Sequence, residues 1–165
     1  MQKTEPKMIR ANGMDLCADT FGDPGAPPLV LIMGLGAQMI AWHDPFCAKL
    51  ADKGFHVIRF DNRDVGLSTK LDAAGAPNIM AMMAKLAVGA SITTPYALQD
   101  MATDTAGLLD AMNIPKAHIV GASMGGGTLE RGTAAKGGCS VAQPAIESAR
   151  TSGSNGRMFM RKPPA

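Results

Sequence analysis

The chain has 165 residues, enough for one domain with a sizeable core. Its 46% hydrophobic and 18% charged content is an ordinary globular balance and excludes a disordered or fibrous chain. A formal net charge of +2 gives no general pull toward nucleic acid or an acidic partner. The N-terminal Met1-Gln2-Lys3-Thr4-Glu5-Pro6-Lys7 has no apolar signal core. The most apolar stretch, Ile79 to Ile92, is interrupted by Lys85 and is too short for a hydrocarbon layer of about 30 Å. Cys17, Cys47 and Cys139 form no Cys-x-x-Cys pair and no metal spacing, as expected of buried thiols in a reducing compartment. The expectation is a soluble, cytoplasmic protein with no metal, no cofactor and no membrane segment.

Met8 to Phe21 reads as a hairpin. Asn12-Gly13 is a strong turn signal, and Met14, Leu16 and Ala18 alternate with Asp15, Cys17 and Asp19. Gly22 to Pro28 is a Pro/Gly loop. Leu29-Val30-Leu31-Ile32-Met33 is an unbroken apolar run, the pattern of a strand covered on both faces. Gly34 to Gly36 ends it. Trp42, Phe46 and Leu50 lie four apart, predicting a helix from Trp42 to Lys53 that stops at Gly54. Phe55 to Phe60 is the next strand, followed by a loop through Asp61, Asn62, Arg63, Gly66 and Ser68. Asn78 to Ile92 reads as a helix. So does Tyr96 to Met112, with Leu98, Met101, Thr105, Leu108 and Met112 on one stripe and Asp100, Asp104 and Asp110 on the polar face. Ala117 to Ala122 is a strand. Strands alternating with helices predict an α/β fold, a hairpin plus parallel strands with crossover helices. Three loops then meet at the carboxyl edge of the sheet: Met33–Gln38, Asp61–Ser68, and the turn at Ser123.

Gly121-Ala122-Ser123-Met124-Gly125 follows the last strand directly. Gly-x-Ser-x-Gly between a strand and a helix start is a nucleophile elbow, a tight turn that lifts a serine hydroxyl above the sheet. Ser123 is the candidate nucleophile. The backbone N–H groups of Met124 and Leu35 are the candidate oxyanion donors. A plain Gly-Ser turn and a plain Gly-rich loop are the alternatives. A phosphate-binding loop fits poorly, because Gly-x-Gly-x-x-Gly would need glycine at Ser123 and no Gly-Lys-Ser/Thr follows. A reactive serine needs a histidine and a carboxylate, which follow it in this architecture. Residues 124–165 contain no His and no Asp. Of the three histidines, His118 and His56 begin strands at the far end of the sheet, His118 roughly 15 Å from the hydroxyl. His43 lies nearer, at a helix start, where a capping or surface role is the simpler reading. Asp61 and Asp64 read as loop-forming, with Arg63 as partner. Met80, Met82 and Met83 read as core or pocket lining.

These residues together resemble the α/β-hydrolase fold superfamily, in the esterase branch of aclacinomycin methylesterase-type proteins. The resemblance covers about residues 8–126. It rests on Leu31-Ile32-Met33-Gly34-Leu35-Gly36, Trp42, Arg59-Phe60-Asp61-Asn62-Arg63-Asp64-Val65-Gly66-Leu67-Ser68, Tyr96, Asp100-Met101-Ala102-Thr103-Asp104 and Val120-Gly121-Ala122-Ser123-Met124-Gly125-Gly126. It implies Ser123 as nucleophile, Leu35 and Met124 as oxyanion donors, and a small-molecule ester or related acyl substrate. The family's acid and histidine have no matching position, so the sheet is expected to be incomplete.

The pattern changes after residue 126. Residues 1–126 hold 10 Lys/Arg and 12 Asp/Glu, whereas residues 127–165 hold 6 Lys/Arg and 2 Glu. Periodicity fades there, and Gly127, Gly132, Gly137, Gly138, Gly153 and Gly156 are scattered through it. The expected organisation is a partial hydrolase core over 8–126 and an atypical, poorly ordered tail over 127–165. A frameshift or gene truncation near codon 127 is the expected origin. Three functions follow: a serine ester hydrolase with weak or no activity, a non-catalytic fragment that self-associates through an exposed sheet edge, or a basic-tail binding module. No aromatic interleaving supports the last, and no nucleic-acid partner is expected.

Overall fold

A computed structural model describes residues 2–72, 84, 89 and 94–128. Its centre is a five-stranded mixed sheet. The strands are β1 (Lys7–Ala11), β2 (Met14–Phe21), β3 (Pro28–Ile32), β4 (His56–Phe60) and β5 (His118–Gly121), in spatial order β1-β2-β4-β3-β5. β1 and β2 form an antiparallel hairpin with Ala11 opposite Met14. Asn12 and Gly13 both take positive φ, 48° and 77°, the two-residue turn whose twist matches that of paired strands. β2 runs antiparallel to β4, while β4, β3 and β5 are mutually parallel. The expected hairpin and parallel strands are all present.

Among the described residues two helices connect the parallel strands. α1 (Asp44–Asp52) lies between β3 and β4, and α2 (Leu98–Ala111) between β4 and β5. The first connection steps from β3 toward the hairpin, and the second returns across β3 to its other side. The helices therefore cover opposite faces. Residues alternate between those faces as a strand requires. Leu29, Leu31 and Val57 pack with Phe21 and the α1 residues Cys47, Leu50 and Ala51. Val30, Ile32, Ile58 and Phe60 pack with Leu16, Ala18, Ile119 and the α2 residues Leu108 and Leu109. Each large aliphatic side chain buried this way contributes about 1.5–3 kcal/mol.

Both helices are shorter than their sequence patterns suggest. Trp42 closes a 3-10 turn (Met39–Ala41), and α1 starts only at Asp44. α2 starts at Leu98 because the Asp100 carboxylate reaches back to accept the Ala97 N–H at 2.7 Å, which fixes Ala97 as an extended cap. Apart from Ala84 and Gly89, the helix expected over Asn78–Ile92, with its Met80, Met82 and Met83, lies outside the described residues, as do Cys139 and the tail from 129 onward. Cys17 and Cys47 are buried free thiols, and burial pushes both up from the usual thiol range. No helix among the described residues is long and apolar enough to cross a membrane.

Two buried arginines tie the helices to the sheet. Arg59 lies opposite Asp19 in the β2–β4 register and binds both carboxylate oxygens at 2.7 and 2.8 Å. It also donates to Asp44, the first residue of α1, and to the Trp42 carbonyl. Burial works against its charge, and the Asp19 and Asp44 carboxylates more than offset this, holding the guanidinium above its ordinary range. Arg63 clasps Asp104 of α2 at 2.6 and 2.7 Å. Asp104 is thus buried, not on the solvent face of α2 as its helical position suggests, and Asn12 of the hairpin donates to it as well. Removing one member of such a buried pair costs about 3–5 kcal/mol, because the other charge is stranded.

His56 opens β4 and is buried. Burial holds its imidazole below the usual value; Asp23 opposes this shift and Lys7 adds to it. The folded state therefore takes up the His56 proton at lower pH than the unfolded state. The resulting stability is fully present above about pH 6.5 and is lost as the pH falls through the lower folded value. Urea unfolding followed by Trp42 fluorescence is expected to show a midpoint that drops between pH 7.5 and 5.5, with the slope reduced in His56→Gln. An unchanged slope in the variant would remove His56 from this account.

Candidate active site

Ser123 sits where β5 turns into a short helical segment over residues 124–128. Its φ is +53°, a left-handed conformation that costs a non-glycine residue about 1–2 kcal/mol. Hydrogen bonds enforce it. The Ala122 N–H donates to the Ile32 carbonyl at 2.9 Å, holding the end of β5 against β3. The Gly125 N–H then donates to Ala122, and the Gly126 N–H to Ser123, starting the helix. Little room remains. A β-carbon at Gly121 would overlap the Gly125 carbonyl, and one at Gly125 would overlap the Ile32 carbonyl oxygen. The glycines of the motif are thus required by backbone contact, and the serine is lifted into solvent, where it is exposed.

The loop after β3 lies beside it. A β-carbon at Gly34 would stand 3.0 Å from Ser123 Cβ and 3.5 Å from its Oγ. Leu35 follows, 63% exposed, and the Ala37 N–H closes a turn onto the Gly34 carbonyl. The Met124 N–H opens the helical segment, where first-turn N–H groups have no intrahelical acceptor. Ser123, Leu35 and Met124 are therefore brought to one edge. The third loop arrives as expected too, but its wiring differs from the sequence reading. Arg63 does not pair with Asp61 or Asp64, because Asp104 takes its guanidinium. Asp61 instead accepts the N–H groups of Met39 at 2.7 Å and Leu67 at 3.0 Å. Asn62 donates to the Met33 carbonyl at 3.0 Å. The rim carries exposed aliphatic side chains at Leu35, Ile40 and Leu67.

His118 and His56 do not join this edge, because both begin strands at the opposite end of the sheet. His118 begins β5, and its ring meets Phe55 edge-on at 5.8 Å. His56 begins β4. His43 occupies the cap position of α1, exposed and without a side-chain capping bond. Among the described residues no group of three His, Cys, Asp or Glu side chains could hold a metal ion. Sequence reasoning missed the buried pairs Arg59–Asp19 and Arg63–Asp104. A signal was present for the first: Arg59 interrupts an otherwise apolar, doubly covered strand, and such a charge needs a partner on the neighbouring strand.

Comparison with known proteins agrees with this geometry. Residues 27–129 match the family described as alpha/beta hydrolase fold. The chain belongs to the α/β-hydrolase fold family. It is 34% identical over 119 residues to rhodomycin D methylesterase DauP of Streptomyces sp. (strain C5), covering 72% of this chain and 34% of that protein. The chain thus spans about a third of the length of this curated relative. Among solved structures it is similar to the enol-lactonase of Burkholderia xenovorans LB400, with a TM-score of 0.56 and 29% identity over 74% of this chain and 39% of that one. Epoxide hydrolase A of Mycobacterium thermoresistibile shares the fold, with a TM-score of 0.58 and 24% identity over 78% of this chain and 34% of the other. The resemblance read from the motifs, an esterase-like member of the α/β hydrolases over its N-terminal portion, is borne out.

The strained serine gives a direct test of the elbow. Ser123→Gly is expected to raise stability by roughly 1 kcal/mol, because glycine adopts φ +53° freely and its extra unfolded-state entropy offsets only part of the gain. Ser123→Ala keeps the strain and is expected to leave stability within about 0.5 kcal/mol of the parent. Equal urea midpoints for the two variants would contradict the backbone geometry.

Proposed function

We propose that this protein is a serine hydrolase of small carboxylic esters or related acyl bonds. The observation that carries the reading is the exposed Ser123 at positive φ with Gly34 packed against it. Strain of this kind at an exposed side chain is characteristic of functional sites. In this reading Ser123 Oγ attacks the carbonyl carbon of the ester. The carbonyl electron pair moves onto oxygen, and the N–H groups of Leu35 and Met124 receive that charge. Collapse of the intermediate expels the alcohol and leaves an acyl-serine for water to cleave. The relatives' names include a methylesterase, an enol-lactonase and an epoxide hydrolase. The first two substrates present the carbonyl oxygen that two converging N–H groups suit, and the epoxide does not. The aliphatic rim of Leu35, Ile40 and Leu67 favours apolar groups beside the ester.

A triad histidine and acid follow the serine in this fold, and residues 124–165 offer neither His nor Asp. Within these 165 residues the candidate nucleophile and oxyanion donors are present with no His or Asp after Ser123, so an assay of this sequence alone reads the serine without a following triad base. Turnover then rests on oxyanion and binding terms, which leave about 10³–10⁴-fold over water when triad members are removed. A second reading, an inert fragment that self-associates, rests on β5 pairing on one side only among the described residues. Assay with a p-nitrophenyl ester separates the two. Slow p-nitrophenol release abolished by Ser123→Ala is the expected result. Release that is indifferent to Ser123→Ala in folded protein, with the protein eluting as an oligomer, would establish the inert reading instead.

A further inference from the structure

The segment Met33 to Met39 carries the Leu35 N–H and is held at both ends by the loop after β4. At its start, the Asn62 side-chain amide donates to the Met33 carbonyl at 3.0 Å. At its end, Asp61 Oδ1 accepts the Met39 N–H at 2.7 Å. Asp61 Oδ2 accepts the Leu67 N–H at 3.0 Å, and the Ser68 hydroxyl donates to the Asp61 carbonyl at 2.7 Å. Both side chains are 2% exposed. The site is built closely around the carboxylate: a β-carbon at Gly66, where φ is +54°, would overlap Asp61 Oδ2. The nearby cation Arg63 is committed to Asp104, so backbone N–H groups are the partners the structure gives this carboxylate. Between the two anchors Leu35 stands exposed, and a loop otherwise free to move is fixed beside Ser123.

We infer that Asp61 and Asn62 are positioning residues, which set the Leu35 N–H at the distance from Ser123 that a developing oxyanion needs. The inference rests on the ester-hydrolase reading above. An oxyanion donor is effective only at hydrogen-bond range of the transition-state oxygen, and a displacement of about 1 Å costs on the order of a hundredfold. Asp61→Asn retains one acceptor and turns an amide N–H toward a backbone N–H, so one end of the segment is released. Asn62→Ala releases the other.

The test replaces the nucleophile so that no histidine is required. Ser123→Cys supplies a sulfur whose thiolate fraction reacts unaided. With p-nitrophenyl acetate the thiolate attacks the carbonyl carbon, passes through an oxyanion, expels p-nitrophenolate and becomes a thioester. With iodoacetamide the same thiolate displaces iodide from a saturated carbon, and no oxyanion forms. Both rates are read at position 123 by peptide mass mapping, and their ratio reports the oxyanion donors independently of thiolate fraction and access. The ratio in Ser123→Cys is expected to exceed that of a free cysteine peptide. Adding Asp61→Asn or Asn62→Ala is expected to lower it about tenfold or more, with alkylation unchanged. A ratio that stays at the parent value in both double variants would overturn the positioning role while leaving the hydrolase reading intact. A parent ratio no higher than the free peptide would overturn the hydrolase reading and this inference with it.

Discussion

The contact between the elbow backbone and the end of β3 governs this structure. The Ala122 N–H bonds the Ile32 carbonyl, and the backbones of Gly121 and Gly125 meet with no space for a side chain. β5 is thereby seated beside β3, the segment 124–128 starts directly over the strand ends, and Ser123 is forced into a left-handed conformation with its hydroxyl outward. Gly34 comes within reach of Ser123 because both strands end at the same level. Sheet order, serine exposure and the proximity of Leu35 all follow from that approach.

Charge holds the surrounding parts in place. Arg59 joins β2, β4, the Trp42 carbonyl and the start of α1, and Arg63 joins the β4 loop to α2 and, through Asp104, to the hairpin. The Asp61 carboxylate and the Asn62 amide instead meet backbone groups and join the two loops at the serine edge. The two kinds of tie differ physically. Buried ion pairs fix which elements pack together, since a stranded charge is severely penalised. The Asp61 and Asn62 ties engage backbone groups at the two ends of the Met33–Met39 segment and hold that segment beside the serine.

Much of this was legible in the sequence because local rules agree with the fold. The Asn12-Gly13 turn, the apolar run Leu29 to Ile32, the stop at Gly54 and the Gly-x-Ser-x-Gly turn each have one dominant physical reading. The family followed from the same motifs. What the sequence did not show was side-chain partnership across the chain. Asp104 sits at a helical position that suits solvent, and only the arrival of Arg63, 41 residues away in sequence, makes it a buried anion. Asp61 has a cation two residues away and ignores it, because the backbone N–H groups of Met39 and Leu67 are better placed. Such pairings depend on three-dimensional proximity that no periodicity encodes. The left-handed φ of Ser123, by contrast, was implied by the motif, since a strand cannot enter a helix in so few residues without it.

The most direct test compares two neighbouring glycines in the elbow. A β-carbon at Gly125 collides with the Ile32 carbonyl, whereas one at Gly126 meets nothing within 4 Å. Urea unfolding followed through Trp42 is predicted to show Gly125→Ala destabilised by about 1–3 kcal/mol or more. Gly126→Ala is predicted to be stabilised by about 0.4–1 kcal/mol, because alanine loses less conformational freedom on folding. Effects of the same sign and size at both positions would contradict the close approach on which the serine's placement depends.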